Sequence, residues 1–347
     1  MPLRPSTLLV GSAFLVAFAQ TAACSDARPQ ASSDLAPPSP TADAAAQPDG
    51  DAGAELDAAA DPDAGSTDPD AGGCAPAGGP ALPANMVCSP SAEWGPAETV
   101  PISDGDDTIA AITPDERTIA WFRVGGPSAE LLVADRASAE MPFDAPLAVV
   151  PQGGMFGTGA ALSPDGLALV VISSDARSLV ALVRPSRGEA FATAAPGSQA
   201  ELALAPLNAA FGAMAADVTV ADPVLSSSGN ILLYSVVAAD GATMHSATRD
   251  GKGVFAAGVG LPDCELRTHG HGKSRRPTGM SADGLTLFYF DEVRDSARQA
   301  FRASLAAPFS VFVDLGPRIG VQANAACDAL YSSHSTAGTT EIVREAR

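Results

Sequence analysis

Aromatic side chains are scarce in this chain of 347 residues. It has two Trp, three Tyr and 13 Phe, and none falls between Phe18 and Trp94. A stretch that long without rings or much aliphatic bulk cannot close a hydrophobic core. Basic residues are also few, 20 Lys and Arg against 40 Asp and Glu, for a formal charge of −20. That balance argues against a sequence-independent nucleic-acid binder, which needs a basic footprint to release phosphate counterions. It argues equally against a peripheral protein drawn to anionic lipid by charge. Long hydrophobic runs are missing too. The segment 8–19 (LLVGSAFLVAFA) would span about 18 Å as a helix, short of the roughly 30 Å hydrocarbon core. There is no Gly-x-Ser-x-Gly elbow, no complete Gly-x-x-x-x-Gly-Lys-Ser/Thr phosphate loop and no His-Glu-x-x-His helix, so the local signatures of three large hydrolase classes are absent.

What is present starts with an address. Residues 1–23 read as an export signal: Arg4 and the amino terminus, the apolar run 8–19, then small residues Thr21, Ala22 and Ala23 before Cys24. Thr-Ala-Ala-Cys resembles the bacterial lipobox, with Thr21 where that pattern usually has Leu. The resemblance implies a diacylglycerol on the Cys24 thiol and a stable membrane anchor through several acyl chains. Cleavage after Ala23 by ordinary signal peptidase is the other reading, and both place the mature chain outside the cytoplasm. Residues 24–87 then read as a disordered tether. From 25 to 87 eleven carboxylates face one base, Arg28, and Asp-Pro-Asp-Ala-Gly occurs at both 61–65 and 68–72. Like charges and prolines keep such a segment extended, with a reach of roughly 40–50 Å. The recurring Asp-x-Asp also suggests calcium, but the twelve-residue EF-hand loop with its terminal Glu is missing.

Residues 88–347 carry a repeat. The stretches 112–122 (ITPDERTIAWF), 162–172 (LSPDGLALVVI), 225–235 (LSSSGNILLYS) and 280–290 (MSADGLTLFYF) align without gaps, and 323–333 (ANAACDALYSS) is a fifth, weaker copy. In each, a small polar turn can hydrogen-bond local amides. Asp115, Asp165 and Asp283 stand in these turns. Gly166, Gly229 and Gly284 occupy a position suited to positive φ, and Glu116 and Cys327 replace glycine there, so those two turns are expected to differ. The apolar runs that follow do not alternate, which indicates strands covered on both faces. Helical periodicity is not evident. The expected fold is all-β, a propeller of about five four-stranded blades, with six allowed by the 63-residue spacing between the second and third copies. Third strands are expected at 130–134, 178–183 and 300–305, and outer ones at 145–150 and 309–315. A strand within 94–103 is expected to pair into the last blade and close the ring.

The Ser-Pro/Ala-Asp-Gly-x-x-Leu-aromatic signature resembles the WD-repeat-like propellers of exported bacterial proteins, including the TolB-like C-terminal domain, over roughly 95–347. The resemblance makes the Asp and Gly structural turn residues and implies a binding or scaffold role toward an envelope protein, peptide or polymer. No cofactor and no nucleic acid are expected, with the membrane engaged only through the anchor and the chain a monomer. A propeller enzyme, a lyase or hydrolase working in the axial channel, is the alternative.

Four cysteines remain beside Cys24. An even count in an exported chain predicts disulfides. Cys74–Cys88 would close a loop at the tether–domain junction and Cys264–Cys327 would link the loop after blade three to blade five; the other two pairings stay open. His269 and His271, near Asp263, Cys264 and His245, invite a zinc reading, although His-x-His in a Gly-rich loop is equally a polar loop. Lys273, Arg275 and Arg276 form the dense basic cluster of an acidic domain, read as a loop able to hold a carboxylate or phosphate. Asp104, Asp106 and Asp107 read as a solvated acidic loop. Asp291, Glu292 and Arg294 are placed to face a rim or axial cavity.

Overall fold

In the computed structural model the described residues are 81–91, 93–102, 106–124, 129–149, 159–239, 241–261, 266, 275–336 and 339–347. The chain divides into two units, Met1–Gly65 and Ser66–Arg347, and all that follows concerns the second. The signal, Cys24, Cys74, Asp104, Cys264, His269, His271 and Lys273 lie outside the described residues.

The non-alternating apolar runs become inner strands of a propeller. A two-residue strand β1 (Glu98–Thr99) comes first. Blade one is then β2 (Asp107–Ile112), β3 (Thr118–Val124), β4 (Ala129–Asp135) and β5 (Leu147–Ala148). Blade two is β6 (Ala160–Leu162), β7 (Ala168–Ile172), β8 (Leu179–Val183) and β9 (Ala192–Thr193). Helix α1 (Gln199–Gly212) leads to blade three, β10 (Thr219–Leu225), β11 (Ile231–Ala238), β12 (Gly241–Thr248) and β13 (Val259–Gly260). Blade four is β14 (Arg275–Met280), β15 (Thr286–Asp291), β16 (Ser296–Phe301) and β17 (Val311–Gly316). Blade five has β18 (Ile319–Ala323), β19 (Ala329–Thr336) and β20 (Thr339–Ala346), and β1 completes it by pairing antiparallel with β20, Glu98 opposite Arg344. The expected closure is therefore formed, and the ring has five blades. The first strands β2, β6, β10, β14 and β18 pack side by side around the axis, β18 returning to β2. The third strand expected at 300–305 lies earlier, because Arg302–Leu305 form the turn after β16.

Apolar packing follows the same symmetry. Each seam between neighbouring blades holds one buried cluster, as with Trp121, Leu132, Tyr331 and Ile342 between blades one and five, or Leu233, Met244, Leu287 and Tyr289 between three and four. A strand sandwiched between two such layers has no polar face to show, hence the runs without alternation. Leu82, Met86 and Val87, which composition assigns to the tether, pack against the cluster between blades four and five. The folded part thus starts a few residues before 88.

The helix is a correction. The 63-residue spacing holds no sixth blade but α1, and its signals were local. Ser198 caps it, its hydroxyl accepting from the Glu201 amide at 3.4 Å, in the Ser-x-x-Glu pattern of a capping box. Ala203, Leu204, Leu207 and Phe211 recur at helical spacing and are buried. They pack on Ile172, Leu179 and Tyr234, while Asn208 takes both backbone groups of Leu179, at 2.8 and 2.9 Å.

All five repeat turns are alike, against the expectation that two would differ. The amides of Glu116, Gly166, Gly229, Gly284 and Cys327 each donate to the carbonyl three residues earlier at 2.7–3.1 Å. Their φ values are 57°, 73°, 71°, 70° and 54°. The position always abuts a neighbour. A Cβ on Gly229 would lie 2.9 Å from the Pro164 ring of blade two, and one on Gly284 2.5 Å from Ile231 of blade three. At the two seams that flank the closing blade the space is used instead of avoided. Glu116 reaches into blade five, its carboxylate accepting from Tyr331 Oη (2.6 Å), Asn324 Nδ2 (2.8 Å) and Arg344 Nε (3.1 Å), with Arg136 at 3.4 Å. Cys327 is bonded to Cys88. That pairing replaces the two favoured from sequence. Cys88 precedes β1, so the fold that docks β1 on blade five also brings Cys88 to the buried blade-five turn.

Candidate functional site in the axial cavity

The first strands do not run straight to the axis. Register shifts interrupt β2 between Ile109 and Ala111, β10 between Ala221 and Val224, β14 between Pro277 and Gly279, and β18 between Ile319 and Gln322. Bulges re-aim side chains and bend strands, and here the displaced residues Ala110, Asp222, Thr278 and Gly320 all line one cavity of ≈ 170 Å³. All five blades contribute to it. Its apolar wall is made by Ile109, Phe122, Ala160, Val224, Phe290 and Ile319, and among the described residues its charged members are Asp222, Arg276 and Glu292. Arg276 and Glu292 pair at 2.6 Å.

Asp222 is the unusual member. Its φ is +50°, a left-handed conformation that costs about 1 kcal/mol outside glycine but that Asp tolerates better than most. Its side chain lines the cavity, near the Ser235 hydroxyl. Burial therefore pushes its carboxyl from 3.8 up to about 6, against the pull of the Arg276 charge and the nearby Ser235 hydroxyl, and Glu292 adds to the rise. Among the described residues no cation is joined to it. Below pH ~4 this carboxyl is protonated in both folded and unfolded chains and contributes nothing. Between about 4 and 6 the native state holds more protons than the unfolded chain, so stability falls as pH rises, by about 2–3 kcal/mol in all. Asp222→Asn is expected to remove this slope and to be the more stable protein at pH 7.5. Urea unfolding of both proteins at pH 4.5 and 7.5 checks it; parallel pH dependences would contradict it.

The sequence-derived candidates scatter. Asp115, Asp165 and Asp283 are turn residues as expected, each taking a Thr113, Ser163 or Ser281 hydroxyl at 2.5–2.7 Å and the amide two residues on at 3.0–3.2 Å. Arg275 and Arg276 are not a basic loop. They begin β14, where alternation sends them to opposite faces, Arg275 to buried Asp291 at 3.3 Å and Arg276 to the cavity. Glu292 does face the axis, whereas Asp291 does not. Asp107 is no solvated loop residue either: it is fully buried in β2 with Arg123 bidentate on it at 2.8 and 3.0 Å. His245 lies in β12, stacked on Tyr234 with centroids 5.5 Å apart, and burial lowers its pKa.

One repeated device was overlooked. Arg136, Arg184, Arg249, Arg302 and Arg347 each follow the third strand of a blade and lie over Phe143, Phe191, Phe255, Phe309 and Trp94, 4.2–5.2 Å from the ring centroids. In three blades the arginine Nε also donates to the carbonyl of the left-handed turn residue, Glu116, Gly166 or Gly284, at 2.5–2.8 Å. The signal was the Arg-x₆-Phe spacing at 136/143, 184/191 and 302/309. Arg184 additionally bridges blades, bidentate on Asp135 at 2.6 and 2.7 Å.

Fold and site together define a closed five-bladed propeller with a partly charged axial cavity. No family profile and no curated protein matches the chain. Similar solved structures include TolB from Acinetobacter baumannii, at 11% identity and a TM-score of 0.38 over 69% of this chain and 54% of that one. The chain thus spans about half the length of that protein. Others are the PQQ-bound aldose sugar dehydrogenase of Streptomyces coelicolor (13%, TM-score 0.37, 71% and 82%) and the Cps50 (Swd1) β-propeller domain of Myceliophteria thermophila (10%, TM-score 0.36, 72% and 99%).

Proposed function

We propose that the protein is an exported, lipid-anchored propeller that serves as a binding or scaffold module for a protein, peptide or envelope polymer. One observation carries this reading: apart from Asp222, the buried carboxylates named above are committed to the ring's own architecture. Glu116, Asp135, Asp107, Asp291 and Glu345 each hold an arginine across a seam or a strand pair. A ring so fixed suits the presentation of a surface, and a fold of this kind does not by itself specify chemistry. Export and the anchor at Cys24 rest on the signal and lipobox residues, with the Cys88–Cys327 bond in keeping with an oxidising compartment. The enzyme alternative is supported by Asp222 alone, since a carboxyl titrating near 6 in a cavity is suited to proton transfer.

Two measurements test the proposal. Cys24→Ser is expected to move the protein from the membrane to the soluble exported fraction; unchanged fractionation removes the anchor. Photocrosslinking from Val293, 57% exposed beside Glu292, and from Leu305, 56% exposed beside the opposite-face turn at Gly284, is expected to yield a discrete adduct from one face. No adduct from either face, in cells that carry the anchored protein, would overturn the binding role.

A further inference from the structure

Among the described residues, the cavity wall holds more negative than positive charge. Of the charged residues on its wall, Glu292 is paired with Arg276 at 2.6 Å, which leaves the Asp222 carboxylate as the excess. Asp222 is held in a left-handed conformation by the bulge in β10. Gly159 makes room for that bulge: a Cβ there would come within 2.9 Å of the Asp222 Cα. Thr278 stands in the neighbouring bulge of β14 on the same wall. The bulge in β10 and the glycine together present the Asp222 carboxylate to the cavity. The rest of the wall is apolar. A cavity of ≈ 170 Å³ is slightly larger than the roughly 150 Å³ that accommodates benzene.

We infer that the axial cavity is a binding site for a small organic ammonium ion, its nitrogen held by the Asp222 carboxylate and its apolar body against Ile109, Phe122 and Phe290. The charge selects the sign of the ligand, and the volume limits its body to about the size of a single ring. A cation placed there offsets the burial of Asp222, which raises its proton affinity. Binding therefore weakens as pH falls through about 6, where Asp222 takes up a proton in preference to ligand. An alkylammonium also ends the side chain of lysine, so the same chemistry can arrive as a free amine or on a partner's surface. The inference does not depend on the anchor or on which face a partner touches.

Calorimetric titration of the full chain at pH 7.5 tests it, with benzylamine, benzyl alcohol and benzoate as matched probes. Saturable one-to-one binding of benzylamine is expected, with the alcohol and benzoate weaker by roughly tenfold or more. Asp222→Asn is expected to weaken benzylamine by roughly ten- to a hundredfold. Should Asp222→Asn fold poorly, the wild-type titration repeated at pH 5 provides the same readout: benzylamine weakens while benzyl alcohol does not. Benzoate binding as tightly as benzylamine, an unchanged constant in folded Asp222→Asn, or no saturable binding of any amine overturns the proposal. Comparing n-butylamine with an acetyl-Gly-Lys-Gly amide identifies the source. Tighter peptide binding supports a partner's lysine, tighter butylamine a free ligand. Loss of the ammonium site with crosslinking intact would leave the binding-module reading standing, and the reverse result would leave the site standing.

Discussion

Glu116→Ala is expected to lower the unfolding free energy by about 4 kcal/mol. The carboxylate is buried and takes Tyr331 Oη, Asn324 Nδ2 and Arg344 Nε at 2.6–3.1 Å, with Arg136 near it at 3.4 Å. Truncation leaves two guanidinium groups and a phenol facing each other without an anion, and removing one member of a buried ionic network costs far more than the network adds over an apolar replacement. The Tyr331 hydroxyl, pushed up to about 12 by burial and by Glu116, cannot compensate by ionising. The distinctive part is the order of variants. Glu116 sits at φ +57°, where alanine is strained and glycine is not. Glu116→Gly should therefore be less damaging than Glu116→Ala by about 1 kcal/mol, although it removes more atoms. Glu116→Gln should fall nearest wild type, keeping the shape and part of the hydrogen bonding. Equilibrium unfolding in urea ranks them; alanine equal to or better than glycine would show that backbone conformation is not limiting there.

The second large effect is at the same blade. Removing the Cys88–Cys327 bond, which closes a sequence separation of 239 residues, is expected to cost about 4–5 kcal/mol through the freedom it restores to the unfolded chain. A Cys88→Ala, Cys327→Gly double variant avoids a buried unpaired thiol and suits the φ of +54° at position 327. Dithiothreitol should destabilise the wild type to about the level of this variant and leave the variant unchanged. A wild type indifferent to reductant would refute the pairing's role. Combined with Glu116→Ala the losses should not add, because Cys327 and Asn324 share one turn and Asn324 donates to Glu116.

The propeller was legible because its turns are built from local chemistry. Asp165 and Asp283 bond amides two residues away, and that depends on nothing distant. Glu116 and Cys327 were read as departures because their left-handed backbone is enforced by partners far along the chain, Tyr331 and Cys88. Helix α1 escaped because its alanine-rich face blurs the spacing of Leu204, Leu207 and Phe211, and because Pro206 lies inside it. For the site, Glu292 was anticipated and Arg276 was named for the wrong environment. Three basic residues within four positions, 273–276, look like a patch until strand alternation sends Arg275 and Arg276 to opposite faces. Asp222 carried no signal at all. Its placement comes from a bulge and from the convergence of five strands, neither of which is encoded near residue 222.

The disulfide also determines how the domain bears mechanical load. A pull along the chain from the N-terminal side meets Cys88 before β1, and the covalent bond passes the force directly into the β18–β19 turn at Cys327. The two-residue strand β1, whose few hydrogen bonds would otherwise unzip first, lies beyond that point and stays slack. Such a pull would then be carried by the full hairpins of blade five, and β1 should be loaded only after the bond is reduced.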